Sequence, residues 1–214
     1  MTPVIDIHTH RPDAPQGSVI NVEPAHFAPL PGRLYSVGHH PWSAVPESLE
    51  SLWHIAVHPQ VVAIGETGLD SLRGAPLEVQ TDIFKQHIAV AQAANKPIVA
   101  HMVRTSGLLI KAWREMRPEG IALAIHGMRG NENVARTLVE AGCYLSYGER
   151  FNAAALMATP LDRILAETDE SITPIEQIIA SMARTLGMNP ATLTAIIAHN
   201  TATLLHRTND PAME

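Results

Sequence analysis

The stretch VVAIGE (Val61–Glu66) ends a short apolar run on a carboxylate, and PIVAH (Pro97–His101) ends one on an imidazole. Near-continuous apolar runs of this length are what parallel strands buried on both faces look like. The same rule recurs on either side. VIDIH (Val4–His8), LYSVGH (Leu34–His39), IALAIH (Ile121–His126) and ILAETD (Ile164–Asp169) each finish on a residue able to bind a metal or move a proton. Two further runs, Val19–Val22 and Cys143–Tyr147, bring the set to eight.

Helical stretches follow the later runs. Leu77–Asn95 places Val79, Ile83, His87, Ile88 and Ala91 on one stripe, and Thr105–Met116 and Asn131–Ala141 follow the next two runs. Pro174–Leu186 aligns Ile175, Ile178, Ile179, Met182 and Leu186 ahead of Gly187 as a stop, and Asn189-Pro190 opens a last helix. Strand alternating with helix implies an α/β fold, and eight strands imply a TIM-type (β/α)8 barrel. At 214 residues the chain is short for that class and reads as one domain spanning 1–214. Ten residues lie between His8 and Val19, and Glu23–Arg33 carries Pro24, Pro29, Pro31 and Gly32. Neither gap accommodates a full helix, so the first two helices are expected to be missing or reduced. The flank left bare is a surface on which a second copy of the chain could pack.

Composition narrows the classes further. Hydrophobic residues make up 46% and charged residues 17%, an ordinary globular balance, and no run approaches a membrane span. The N-terminus has no basic stretch followed by an apolar one, and Cys143 is the only cysteine. Both features fit a cytoplasmic protein without disulfides. A net charge of -6 disfavours gripping long duplex DNA by charge alone, so a nucleic acid partner would be held locally. Twelve histidines direct attention to metal ligands.

Strand alternation puts Asp6, His8 and His10 on one side of the first strand, so His8 and His10 aim into a common space. Glu66, His101, His126 and Asp169 fall at the C-terminal ends of other strands, where barrels of this class carry their chemistry. Four imidazoles and two carboxylates suit two divalent cations of the Zn, Mn or Mg type. Any one of these residues alone would more often be a satisfied core or loop residue; the repetition of the rule over so many strand ends is what singles them out.

IDIHTH, VGHHPW, AIGETGLD, KPIVAH, AIHGMRGN, LAETD and HNTATLL together resemble the successive motifs of the TatD family of metal-dependent deoxyribonucleases. They occur in the family's order and span nearly the whole chain, and AIGETGLD and the terminal ETD are the most specific. The resemblance implies a TIM barrel with a two-metal site that hydrolyses DNA phosphodiesters, often from the 3′ end. It implies that His8, His10, Glu66 and Asp169 surround one ion, and that Glu66 bridges to a second held by His101 and His126. His40 then contacts the scissile phosphate. Departures from the family pattern fall where substrate would lie: His101 and Arg104 are one residue further apart than usual, Ser71 replaces an aromatic, and Arg129 stands where a small polar residue is common.

Two cations can clamp the attacking and leaving oxygens of a phosphoryl displacement, and Asp169 would accept a proton from the attacking water. Arg104, Arg129 and Arg150 follow strand ends and are candidates for phosphate oxygens, although arginines at loop starts are often merely solvated or paired locally. Asp70 reads as a loop organiser and Asn200 as a partner for backbone near a helix. The leading expectation is a phosphodiesterase acting on DNA ends or nucleotide phosphodiesters. Two alternatives stand beside it: the same barrel hydrolysing a small phosphoester or cyclic amide, and a non-catalytic protein that binds metal or a partner.

Overall fold

The computed structural model describes residues 2–43, 49–116 and 118–206. Its eight strands, β1 (Asp6–Thr9), β2 (Ser18–Val22), β3 (Leu34–Val37), β4 (Val61–Asp70), β5 (Ile98–Val103), β6 (Leu123–Ile125), β7 (Tyr144–Tyr147) and β8 (Ile164–Ala166), lie in chain order in one sheet. With helices following the later strands, this is the TIM-type (β/α)8 class. The expected shortening is present. No helix joins β1 to β2, and a single 3-10 turn, Pro24–His26, lies between β2 and β3. Among the described residues no helix is long and apolar enough to cross a membrane.

The chain divides into two compact units, one built from residues up to Ile20 and from His126 onward, the other from Asn21–Ile125. In the first, β1 pairs in parallel with β2 through Asp6↔Ser18 and Thr9↔Ile20, and β7 pairs in parallel with β8 from Leu145↔Ile164 to Tyr147↔Ala166. Four helices belong to it: α4 (Glu132–Glu140), α5 (Ala153–Ala158), α6 (Ile175–Leu186) and α7 (Pro190–Leu204). Asn131, Asn152 and Asn189 each accept a backbone N–H at the start of a helix, and Gly187, at φ 65°, ends α6. Asn200 sits late in α7 and donates to the carbonyls of Leu161 and Ile164, at 2.7 and 2.8 Å, tying that helix to the entry of β8.

The second unit pairs β3, β4, β5 and β6 in parallel. Around them run α1 (Glu50–Ala56), α2 (Leu77–Ala94) and α3 (Ser106–Met116). Helix α2 packs on β4 and buries Phe84, His87, Ile88 and Ala91, and Asn95 in the left-handed conformation stops it ahead of Pro97. Helices α1 and α5 were not legible in the sequence, since seven and six residues are too few to show an apolar period.

One strand differs from expectation in a way that shapes the site. β4 continues four residues beyond Glu66, to Asp70, so Glu66 lies within the strand. Gly68 permits this: at φ 132°, a Cβ there would sit 2.1 Å from the carbonyl oxygen of His101. Only a residue without a side chain lets β4 run so close alongside β5 at that histidine.

Candidate functional site

In the first unit, the backbone just after β8 is stitched to β1. Asp169 N donates to His8 O (2.9 Å), His10 N donates to Asp169 O (3.1 Å), and Thr9 forms a parallel bridge with Asp169. Asp169 adopts φ 54°, which lets the chain leave the strand with its carboxylate near both imidazoles. Its Oδ1 lies 3.9 Å from His8 Nε2 and 3.7 Å from His10 Nε2, and Arg129 Nη2 is 3.9 Å from Oδ2. The His8 and His126 rings are 4.2 Å apart. His8, His126 and Asp169 each offer one donor atom, all within 4.8 Å of one another.

Two buried carboxylates support this cluster. Asp6 accepts from Thr168 N (3.0 Å), and the Thr168 hydroxyl lies 2.8 Å from its other oxygen. Burial pushes the Asp6 carboxyl up to about 7, against the pull of those hydrogen bonds. Glu167 accepts from Gly127 N at 2.6 Å and lies 3.6 Å from His126 Nδ1. Burial opposes its ionisation, but the nearby His126 and His8 imidazoles outweigh that and hold it below the usual carboxylate range. Glu167 was missing from the sequence-based set. The signal was available: in a strand, residues two apart share a side, so Glu167 goes with Asp169 in ETD.

In the second unit, Glu66 is held by its own backbone, whose N–H donates to Asn21 Oδ1 at 2.5 Å. Its Oε1 meets His101 Nδ1 at 2.8 Å and His40 Nε2 at 2.9 Å. The donor atoms of His40, Glu66 and His101 again fall within 4.8 Å of one another. His101 Nε2 lies 3.2 Å from Asp70 Oδ2, the oxygen that also accepts from the Trp42 indole N–H at 2.6 Å. Asp70 Oδ1 accepts from Leu72 N at 2.7 Å. Burial would raise the Asp70 carboxyl, yet these donors hold it below its ordinary range. Asp70 thus organises the following loop, as expected, and also orients His101.

The backbone sets the tautomer of His40. Its Nδ1 accepts a hydrogen bond from Trp42 N at 3.0 Å, so in the neutral ring the proton sits on Nε2, the atom facing Glu66. A histidine that binds metal through Nε2 keeps its proton on Nδ1. The local backbone therefore suits His40 to donating a hydrogen bond rather than to binding an ion.

The structure thus gathers His8, His126 and Asp169, with His10 beside them, in one cluster and His40, Glu66 and His101 in another. Within its unit His126 keeps company with His8 and Asp169. Of the candidate arginines, Arg129 reaches Asp169, Arg104 is exposed directly after β5 at φ 55°, and Arg150 is exposed after β7. Glu149 is occupied by Ser171 and Thr173. As for the donor chemistry, each cluster combines imidazole and carboxylate in a partly buried setting, the ligand set of Zn²⁺ or Mn²⁺.

An α/β barrel with two imidazole–carboxylate clusters is a metal-hydrolase type of scaffold. The TatD related DNase family model matches residues 28–206, and the chain belongs to that family. It is 32% identical over 145 residues to the Bacillus subtilis (strain 168) protein named metal-dependent hydrolase YabD, covering 63% of this chain and 57% of that one. It is 34% identical over 158 residues to the 3'-5' ssDNA/RNA exonuclease TatD of Musicola paradisiaca, covering 65% and 58%. The chain thus spans a little over half the length of these relatives. In fold it is similar to the crystal structure of the TatD homologue YjjV from Escherichia coli K12, with a TM-score of 0.81 at 21% identity over 94% of this chain and 97% of that one.

Proposed function

We propose that this chain is a metal-dependent phosphodiesterase that acts on the ends of DNA strands, using two divalent cations, one for each cluster. The observation that carries the reading is the pairing of each imidazole–carboxylate cluster with a hydrogen-bond donor suited to phosphate, half-buried His40 in one and exposed Arg129 in the other. His8, His10, His126 and Asp169 would hold one ion, and Glu66 and His101 the other. Cations so held supply Lewis acidity and a water activated near neutral pH.

The chain's own groups do the remainder. Asp169 takes the proton from the attacking water, a role typically worth about 10²–10⁴-fold. His40, whose Nε2 proton faces Glu66 here, would turn that proton to a phosphate oxygen once Glu66 is engaged with an ion. Arg129, Arg104 and Arg150 offer planar guanidinium donors to the phosphates on either side. An acidic protein with a few such arginines favours strand ends over long duplex. The name of the Musicola relative, an exonuclease of single-stranded DNA and RNA, agrees with this preference.

The test is a panel run with added Mn²⁺ or Zn²⁺: single-stranded and duplex oligonucleotides, small phosphoesters and cyclic amides. Strand-end cleavage is expected, abolished by chelation and reduced at least about 10²-fold by Asp169→Asn without loss of fold. Turnover of amides alone, or an Asp169→Asn variant as fast as the parent, would refute the proposal.

A further inference from the structure

Trp42 follows the His40-Pro41 pair yet leaves 46% of its surface exposed, unusual for an indole that is also anchored. Its ring is fixed in place. The indole N–H is held by Asp70, and the ring stands edge-on to His40 and His101, with centroids 4.7 and 5.6 Å away. The Arg73 guanidinium lies over the ring at 4.6 Å from its centroid.

The loop carrying Arg73 is equally fixed. Gln80, 2% exposed on α2, accepts from Asp70 N and has its amide nitrogen within 3.0 Å of the carbonyls of Asp70, Arg73 and Ala75. Gly74, at φ 87°, brings that loop so near Pro41 that a Cβ would sit 2.0 Å from the Pro41 carbonyl oxygen. An indole with nearly half its surface exposed, a cation over its ring and a clamped loop beside His40 make a preorganised surface for a flat, phosphate-bearing group.

We propose that Trp42 and Arg73 form a stacking subsite for one nucleobase of a single strand, with Arg73 also meeting the phosphate next to that base. The inference rests on the nuclease reading and adds the part of the substrate that it recognises. Stacking is tolerant of sequence because every base has a π-face, so the subsite confers preference for a base without preference among bases.

The experiment is calorimetric titration of the manganese-loaded chain with thymidine 5′-monophosphate and with 2-deoxyribose 5-phosphate, which lacks the base. The parent protein is expected to bind the nucleotide about 5- to 150-fold more tightly, the range that one base–aromatic stack produces. Trp42→Leu should bind both alike within about twofold, while Trp42→Phe keeps most of the preference, as a stacked phenyl ring would. Both variants lose the hydrogen bond to Asp70, so their difference reads stacking alone. Arg73→Gln leaves that bond intact and should lower the preference about two- to fivefold, which keeps the test decisive if Trp42→Leu does not fold. Equal binding of the two ligands by the parent, or an undiminished preference in Trp42→Leu or Arg73→Gln, overturns the subsite. Cleavage of oligonucleotides is measured in parallel: a base preference in binding without any strand cleavage would sink the nuclease reading and leave the subsite standing.

Discussion

Replacing Gln80 by leucine removes a side chain whose hydrogen bonds all go to the backbone of residues 70–75. Asp70 is buried, so its N–H and C=O lose partners that water cannot replace, at about 1–3 kcal/mol each. The Arg73 and Ala75 carbonyls sit in exposed or half-buried loop and can turn to solvent at little cost. Leucine returns about 1–2 kcal/mol through its apolar surface, leaving a net loss of about 3 kcal/mol. Gln80→Glu is the sharper variant. It keeps the shape and the acceptor for Asp70 N, but it sets a carboxylate against three carbonyl oxygens and gains no apolar burial, so it should destabilise at least as much. Urea unfolding followed by circular dichroism at neutral pH measures both, and a chain of this size should lose about 6–12 °C in Tm for that free energy. The damage should also reach His101, because Asp70 holds its Nε2, so metal titrations of the two variants should show weaker binding at that cluster. A Gln80→Glu protein within about 0.5 kcal/mol of the parent, well inside the cost of a single unsatisfied buried group, would refute the clamp.

Glu167→Gln keeps the size of the buried side chain but removes the charge beside His126; by analogy with outer-shell carboxylates, metal affinity should fall about 10–100-fold in a competition titration, and an unchanged affinity would remove Glu167 from the centre. His87 is fully buried, with Nδ1 directed at Ile83 O (2.8 Å) and Nε2 accepting from His39 N (3.0 Å), and burial lowers its pKa from 6.5 to about 4. A neutral ring is favoured in the fold, so its contribution is complete above pH 6.5 and fades as pH falls toward 4. The whole effect is about 3 kcal/mol, of which about 2 is lost by pH 5. Stability of the parent at pH 7.5 and pH 5 should therefore differ by that much more than in His87→Leu; equal differences in the two proteins would show that this ring does not drive the loss.

The strand set and most of the cluster residues were readable because most of the apolar runs end on a ligand-type side chain. VVAIGE, PIVAH and IALAIH announce both their burial and their chemistry. What stayed hidden depends on contacts distant in sequence. Nothing near Asn21 says that its amide will take the Glu66 N–H, and nothing near Gln80 says that it will grip Asp70 ten residues away on another element. The end of β4 was misplaced because glutamate before a threonine and a glycine reads as a turn. Gly68 in fact serves close approach to β5, a use of glycine visible only once the neighbouring strand is in place. The tautomer of His40 was beyond the sequence for a similar reason, since it is set by a backbone N–H two residues on.

The two clusters share a design that bears on how they choose ions. His101 has Asp70 as a second carboxylate neighbour beside Glu66, and His126 has Glu167 beside it although Asp169 stands in its cluster. In each case one carboxylate is placed to act as ligand and the other sits beside a histidine, where it can help to hold the ring. Asp70 and Glu167 are both held ionised against the cost of burial, by hydrogen bonds from Leu72, Trp42 and His101 in one and by His126 in the other. Buried anions of this kind are costly even beside a histidine, and replacing both by apolar residues would be expected to stabilise an inert barrel. Their presence beside the two histidines is therefore better explained by the demands of a bound positive charge than by the demands of folding.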